Sequence, residues 1–400
     1  MVENKTNHPT MLKIGILSIS FMLQAASAIS VAVTGMIATF HGQSATSVQT
    51  LVTIPSFSIM LFILLDSWFI KLIGKRNTVF LGLVLALVGG IGPAFVSNFA
   101  IIEVLRFLFG AGTGLYTPLA VSLIGDFFTG DEQKNLLGVQ SALSTFGSSF
   151  ATFVAGILAG INWRSTFLVY LILAPVFVLF YFGFPKSDKK ENTVPESKTN
   201  EPSSNKTKLP VFVIIGMLTL FVYFWAAMAV YTNSGLAIQQ LNLSNQGFLG
   251  TALAISGLLG ALVVMSYGPI FKALKHTTPI AVCIVGAIGF VGMAHVTNMF
   301  MFTLYAVLIS STSLLIPYVY GTVLDSAPDS SKNFAISMAM VLNNLGAYFS
   351  PYALSFLGKL FGKTDAVSSF SICAGIMAIL AVVFILLTVI QQHSSKTVKA

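Results

Sequence analysis

Three ionisable side chains fall inside long apolar stretches of this chain, and each could do chemistry there: Asp66, Glu103 and Arg106. A charge in hydrocarbon is disfavoured by roughly 3 kcal/mol on insertion scales, so a charge kept there calls for a partner, a water-filled cavity or a part in moving a proton. Glu103 and Arg106 are three residues apart, on one helix face with Gly110, Thr113 and Thr117, and the spacing predicts an ion pair in the outer half of the membrane. Such a pair has two uses. A carboxylate desolvated against a movable cation binds and releases a proton as its access changes, whereas a permanently paired one stays ionised and only holds the helix in place. Asp66 is expected near the inner end of its span, where it either meets a cytoplasmic gate or reaches water. Asp325 and Asp365, the acids of the second half nearest to its spans, fall at helix ends, so proton coupling is expected in the first half.

Neutral polar groups supply the second kind of chemistry. Gln24 and Ser27, then Gln140, Ser141, Ser144 and Ser148, then Asn343 and Asn344 recur at helical spacing within apolar runs. An amide facing lipid would go unpaired, so these residues are expected to line a cavity or to bond neighbouring helices. Thr113, Tyr116, Trp225 and Tyr320 extend that lining, the alternative for the aromatics being a place against lipid or at the membrane boundary. A cavity with few fixed charges, aromatic walls and scattered amides suits a small amphipathic organic solute better than a sugar phosphate or a nucleotide. Arg106 leaves room for an anionic group on that solute.

Other chemistries are excluded by spacing. His41, His276 and His295 stand singly, with no metal-ligand or nucleophile-base arrangement near them, which argues against an enzyme and against a metal site. Cys283 and Cys373 both lie in apolar segments, so neither a disulfide framework nor a thiolate site is expected. Gly110, Gly112 and Gly114 alternate as in a dinucleotide loop, but no strand precedes them, and small residues there let helices pack closely. No cofactor is expected.

The elements that must position these residues follow from composition. Charged residues are 8% of the 400 and hydrophobic ones 55%, which makes lipid the solvent for most of the chain. A bilayer core about 30 Å thick takes roughly 20 apolar residues as helix. Interruptions by charges, Gly, Pro and Asn give spans near 11–38, 47–71, 78–97, 99–124, 135–161 and 165–185, then 210–234, 246–271, 277–296, 299–324, 332–358 and 366–390. The fold class is therefore an all-α integral membrane protein of twelve transmembrane helices in two pseudo-symmetric six-helix bundles. Residues 11–185 form one half and 210–390 the other, between tails 1–10 and 391–400. The join, 186–209, is rich in Lys, Glu, Ser, Asn, Thr and Pro and reads as a disordered linker.

The +8 formal charge sits in short loops between apolar spans and so reports topology, not nucleic-acid binding. With both termini in the cytoplasm, Lys71, Lys75, Arg76, Lys134, Lys272, Lys275 and Lys332 are all inside, and only Arg164, Lys359 and Lys363 fall outside. The flipped arrangement would translocate nearly every lysine. The halves also repeat one another: Phe69-Ile70-Lys71 returns as Ile270-Phe271-Lys272, and Asp126, Lys134-Asn135 and Gly147 find counterparts in Asp325, Lys332-Asn333 and Gly346.

Several motifs resemble the major facilitator superfamily over the whole chain apart from linker and tails. Gly74-Lys75-Arg76 matches the end of the signature between that family's second and third helices, where a glycine turn and paired basic residues clamp a cytoplasmic gate. The family's usual aspartate is here Lys71, and its first glycine is Ser67. Arg106 with Gly110, Ala111, Gly112, Thr113 and Gly114 resembles the family's fourth helix, Gly125-Asp126-Phe127-Phe128 the loop after it, and Trp163-Arg164 with Phe167 the start of its sixth helix. The glycine-proline pattern that drug and proton antiporters carry in helix 5 is missing, as 135–161 holds no proline. The resemblance implies a monomeric secondary transporter in the plasma membrane, working by alternating access around a central cavity. Gly74, Lys75, Arg76 and Asp126 would form its gate. Proton-coupled export of an amphipathic solute, as by multidrug carriers, is the first expectation. Uptake of an organic anion such as a bile salt is the second, and a membrane enzyme or scaffold that moves nothing is the rival from another class.

Overall fold

A backbone crossing hydrocarbon can satisfy its amides only within itself, so each apolar stretch becomes helix. The computed structural model describes residues 9–184, 211–243, 246–328 and 332–397, and among these the chain is helical without a β-strand. The expected linker 186–209, residues 1–8 of the first tail and 398–400 of the last lie outside the described residues. In order come α1 (Pro9–Ser18), two 3₁₀ stretches (Ile19–Met22 and Ala25–Ala32), α2 (Val33–Thr39), α3 (Ala45–Ile91), α4 (Phe99–Phe127) and α5 (Gly130–Ala159). A ten-residue 3₁₀ stretch, Trp163–Ile172, then leads into α6 (Leu173–Gly183). After these follow α7 (Val211–Gln240), α8 (Gln246–Met265), α9 (Tyr267–Leu274), α10 (Thr278–Met293), α11 (Met299–Ser311), α12 (Leu315–Ser326), α13 (Lys332–Leu360) and α14 (Ala366–Thr397).

Ten helices among the described residues are long and apolar enough to cross a membrane. One of them, Ala45–Ala94, runs 50 residues, about twice what a bilayer takes. Gly74 divides it: its φ of 80° is left-handed, a conformation only glycine adopts freely, so the chain turns there between two spans. α13 is 29 residues long but is not among the ten, since Lys332, Asn333, Asn343, Asn344 and Lys359 dilute its apolarity. The first apolar stretch is not the continuous α-helix that its hydropathy suggests, because Ile19–Met22 and Ala25–Ala32 are wound as 3₁₀.

The chain divides into two compact units, Met1–Ser44 with Thr50–Lys198 and Ala45–Gln49 with Thr199–Ala400. Matching devices recur in them 199 or 200 positions apart. Asn98 caps α4 by accepting from the Ile101 amide at 3.3 Å, and Asn298 caps α11 by accepting from the Met301 amide at 2.9 Å. In the first unit a Cβ on Gly147 would lie 1.7 Å from the Phe21 carbonyl oxygen; in the second, one on Gly346 would lie 2.3 Å from that of Phe221. Each glycine is thus the point where the fifth span of its half meets the first at backbone distance.

Candidate functional site

Arg106 is the largest fully buried side chain of the structure, and its surroundings are built by two irregularities of the backbone. Pro55 sits inside α3 and has no amide hydrogen, so the carbonyl of Leu51, four residues earlier, loses its helical donor. Arg106 replaces that donor: its Nε donates to the Leu51 oxygen at 2.8 Å. The second irregularity is the 3₁₀ stretch Ala25–Ala32. Arg106 Nη2 donates to the Ala26 carbonyl at 2.7 Å, and Nη1 to the Tyr170 hydroxyl at 3.2 Å. The Tyr170 hydroxyl in turn donates a hydrogen bond to the Ala25 carbonyl at 3.0 Å. Tyr170 belongs to the other long 3₁₀ stretch, Trp163–Ile172, so one guanidinium and one phenol hold four spans of the unit at their least regular points. The rings of Phe109 and Tyr170, centred 5.0 and 5.6 Å from the guanidinium carbon, close the site.

This overturns the ion pair expected from the spacing. Glu103 is half-buried and has no ion-pair partner among the described residues, because Arg106 is directed into freed carbonyls on other spans instead of along its own helix. Asp66 is not the solvent-facing carboxylate that was one of its two readings. It is 5% exposed, its Oδ1 has no hydrogen-bond partner, and the charge of Lys75 acts on it.

The residues expected at the gate do meet. The Gly74 turn presents Lys75, whose Nζ lies 2.5 Å from Oδ2 of Asp126 at the end of α4. Arg76 takes a different part, lying over the rings of Phe80 and Tyr181 at 4.8 and 5.8 Å. A second ion pair, Lys13 to Glu132 at 2.6 Å, ties α1 to α5.

The residues expected to line a cavity separate into four groups. Thr113 and Tyr116 are fully buried: the Thr113 hydroxyl donates to Phe109 O, and Tyr116 packs against Gly82. Both are enclosed by helix packing in this structure. Gln140 is buried and accepts from the Ser141 hydroxyl at 3.4 Å, while the buried Ser144 Oγ has no partner. Gln24 is exposed and Ser27 half-buried, and the Gln24 carbonyl accepts from Ser148. In the second unit Asn343 Nδ2 reaches the Tyr320 hydroxyl at 3.5 Å, Asn344 donates to Met340 O within its own helix, and Trp225 Nε1 is left without an acceptor.

Some polar groups had no sequence-based expectation. Tyr170 is one. Another is the amide cluster of the second unit, where Gln49 Nε2 donates to Thr232 O and Asn233 Oδ1, both at 3.0 Å. Pro55 was not singled out in the sequence, although it carried the signal that could have found the Leu51 acceptor, since a proline inside a helix frees the carbonyl four residues back.

Comparison with known proteins places these features. Residues 15–312 match the model of the Major Facilitator Superfamily. A hexuronate transporter of Bacillus subtilis (strain 168) is 20% identical over 249 residues, which are 56% of this chain and 58% of that protein. The multidrug transporter protein MdtP of the same organism is 28% identical over 110 residues, 27% of this chain and 20% of that protein. Matches of this kind leave the chain spanning little more than half of such relatives, or less. Among solved structures, the nucleoside transporter NupG superposes with a TM-score of 0.76 at 12% identity, covering 94% of this chain and 99% of that one, a likeness of fold alone.

Proposed function

Because the chain belongs to the Major Facilitator Superfamily, we propose that it is a secondary active transporter, moving a small amphipathic organic solute across the plasma membrane in exchange for protons, in the export direction. Membership makes it a membrane transporter and not an enzyme. The finer reading rests on one observation: two carboxylates in apolar spans, Glu103 and Asp66, lack a fixed ion-pair partner, while the guanidinium that could have neutralised Glu103 is committed to neutral acceptors. A carboxylate free of a permanent counter-ion can change its protonation as its access to water changes. The polar side chains with bonding capacity to spare, Ser144 and Trp225 above all, are uncharged, which suits an amphipathic solute and not a polyanion. In this reading Gly74 and α13 each contribute to a count of twelve spans, both termini are cytoplasmic, and the protein works as a monomer by alternating access.

A second reading is uptake of an organic anion, which the hexuronate relative favours. It loses its anchor on Arg106, whose donors are already engaged by Leu51, Ala26 and Tyr170. The test is transport by inverted membrane vesicles carrying the protein, over a panel of lipophilic cations and organic anions, before and after collapse of the proton gradient. Export predicts gradient-dependent accumulation that Glu103→Gln or Asp66→Asn abolishes. Accumulation untouched in both variants removes proton coupling through these residues. A panel in which only anions move, and only in right-side-out vesicles, establishes the second reading instead.

A further inference from the structure

No residue of α9 is buried. The helix starts after a kink at Ser266, which follows an apolar run of 18 residues, Phe248–Met265. At about 1.5 Å per residue that run is about 27 Å long, close to the roughly 30 Å of a bilayer core, so α9 begins where hydrocarbon gives way to headgroups. Its residues sort by face: Tyr267, Ile270, Phe271 and Leu274 fall at the helical spacing of one apolar stripe. Phe271 is 37% and Leu274 40% exposed, and the Tyr267 and Phe271 rings stack with centroids 5.6 Å apart, a flat apolar step at the membrane boundary.

Beyond the stripe stand Lys272, Lys275 and His276, all exposed. Lys275 takes a left-handed φ of 48°, which turns the chain into the short 3₁₀ stretch Lys275–Thr277 and gathers these cations at one corner. None of their side chains has a hydrogen bond or ion pair among the described residues. Among the described residues, Asp325 of α12 is the carboxylate that acts on α9, and it does so at the Tyr267 hydroxyl. The equivalent corner of the first unit is different, because there Asp126 neutralises Lys75. The second unit's corner therefore keeps its positive charge, next to an exposed apolar stripe, at the depth of the headgroups.

We propose that α9 and the turn after it bind an anionic phospholipid, with the headgroup phosphate between Lys272 and Lys275 and the acyl chains along Phe271 and Leu274. Lys272 in the last turn of α9 and Lys275 at its C-terminal cap are three residues apart and both exposed, so two flexible side chains are available to one phosphate. The exposed aromatic and aliphatic side chains supply the surface that makes the ligand a lipid and not a free anion. The leaflet rests on the orientation proposed above; the site itself does not, so a reversed topology would move the lipid to the other leaflet without removing it.

The experiment is native mass spectrometry of the purified full-length protein titrated with phosphatidylglycerol or phosphatidylcholine. Phosphatidylglycerol is expected to bind more tightly, and Lys272→Gln with Lys275→Gln to weaken it by about tenfold or more, since each lysine near an anionic surface contributes about fivefold. Phosphatidylcholine binding should be the same in both proteins. The pair Lys272→Arg with Lys275→Arg keeps the charge and should keep the affinity, and Lys71→Gln in the first unit should change nothing. Equal binding of the two lipids, full affinity in the double glutamine variant, or displacement of the lipid by millimolar inorganic phosphate would each overturn the proposal.

Discussion

At Arg106 a residue that looked like transport chemistry serves the backbone. Its removal leaves the Leu51 and Ala26 carbonyls buried without donors, each at about 1–3 kcal/mol. Arg106→Gln should therefore lower stability by about 3 kcal/mol, and Tyr170→Phe by about 1 kcal/mol. Glu103→Gln, which breaks no ion pair, should stay within about 0.5 kcal/mol of the parent. The measurement is thermal unfolding followed by a thiol-reactive dye, for which the buried free cysteines Cys283 and Cys373 are reporters. An unchanged transition in Arg106→Gln would end the clamp interpretation. Sequence located Arg106 but misjudged its partner, because helical spacing weighs only neighbours on the same helix. The competing acceptors lie on other spans and exist only where a proline or a 3₁₀ turn has freed them. Lys75 and Asp126 were both expected at a gate from a family resemblance, but their ion pair was not, because it joins the Gly74 turn to the end of α4, which sequence spacing does not relate.

Among the elements, the spans were legible because hydropathy fixes where helix must be, and their local geometry was not, because it depends on what packs against them. α5 approaches the first span so closely at Gly147 that a Cβ there would clash with the Phe21 backbone, and Gly346 repeats the arrangement against Phe221. Gly147→Ala and Gly346→Ala should each destabilise by about 1–3 kcal/mol or more, the ordinary penalty of overpacking. Gly138→Ala in α5 and Gly375→Ala in α14 meet open space and should be neutral or gain up to about 1 kcal/mol from helix propensity. Equal behaviour of the four variants in the same unfolding assay would mean that the close approach is not real. The last helix adds a dependence on pH. Asp365 caps α14 by accepting from the Ser368 amide at 2.8 Å. Partial burial works to raise its carboxyl, but the hydrogen bonds from Ser368 and the backbone outweigh that and hold it below the usual carboxylate range. A lowered folded value means that the cap's contribution is fully present at neutral pH and is lost as pH falls through that value. Asp365→Asn keeps an acceptor and should flatten this acid dependence while leaving stability at pH 7 nearly unchanged; an acid limb of the same size in both proteins would show that the cap does not carry it.

For the whole molecule, the two units repeat their caps and close contacts yet differ where function is proposed. Ala306 and Phe370 stand 200 positions after Arg106 and Tyr170, and the spans that correspond to the 3₁₀ stretches are the regular helices α7 and α14. The long 3₁₀ stretches and the buried arginine belong to the first unit, whereas the second keeps regular helix at the corresponding positions. In the first unit Lys71, Lys75 and Arg76 lie at one set of helix ends and Arg164 at the other; in the second, Lys272 and Lys275 lie at one set and Lys359 and Lys363 at the other. If the positive-inside rule governs this chain, the Gly74 and Lys275 turns are cytoplasmic. Single cysteines test this at exposed positions: Thr129→Cys and Gly268→Cys for the inner ends, Gly42→Cys and Lys363→Cys for the outer. The native cysteines are buried and should stay silent to a membrane-impermeant maleimide. Intact cells should be labelled only at 42 and 363, and inverted vesicles only at 129 and 268. The reverse pattern would invert the protein and put the lysine corner of α9 on the outer leaflet.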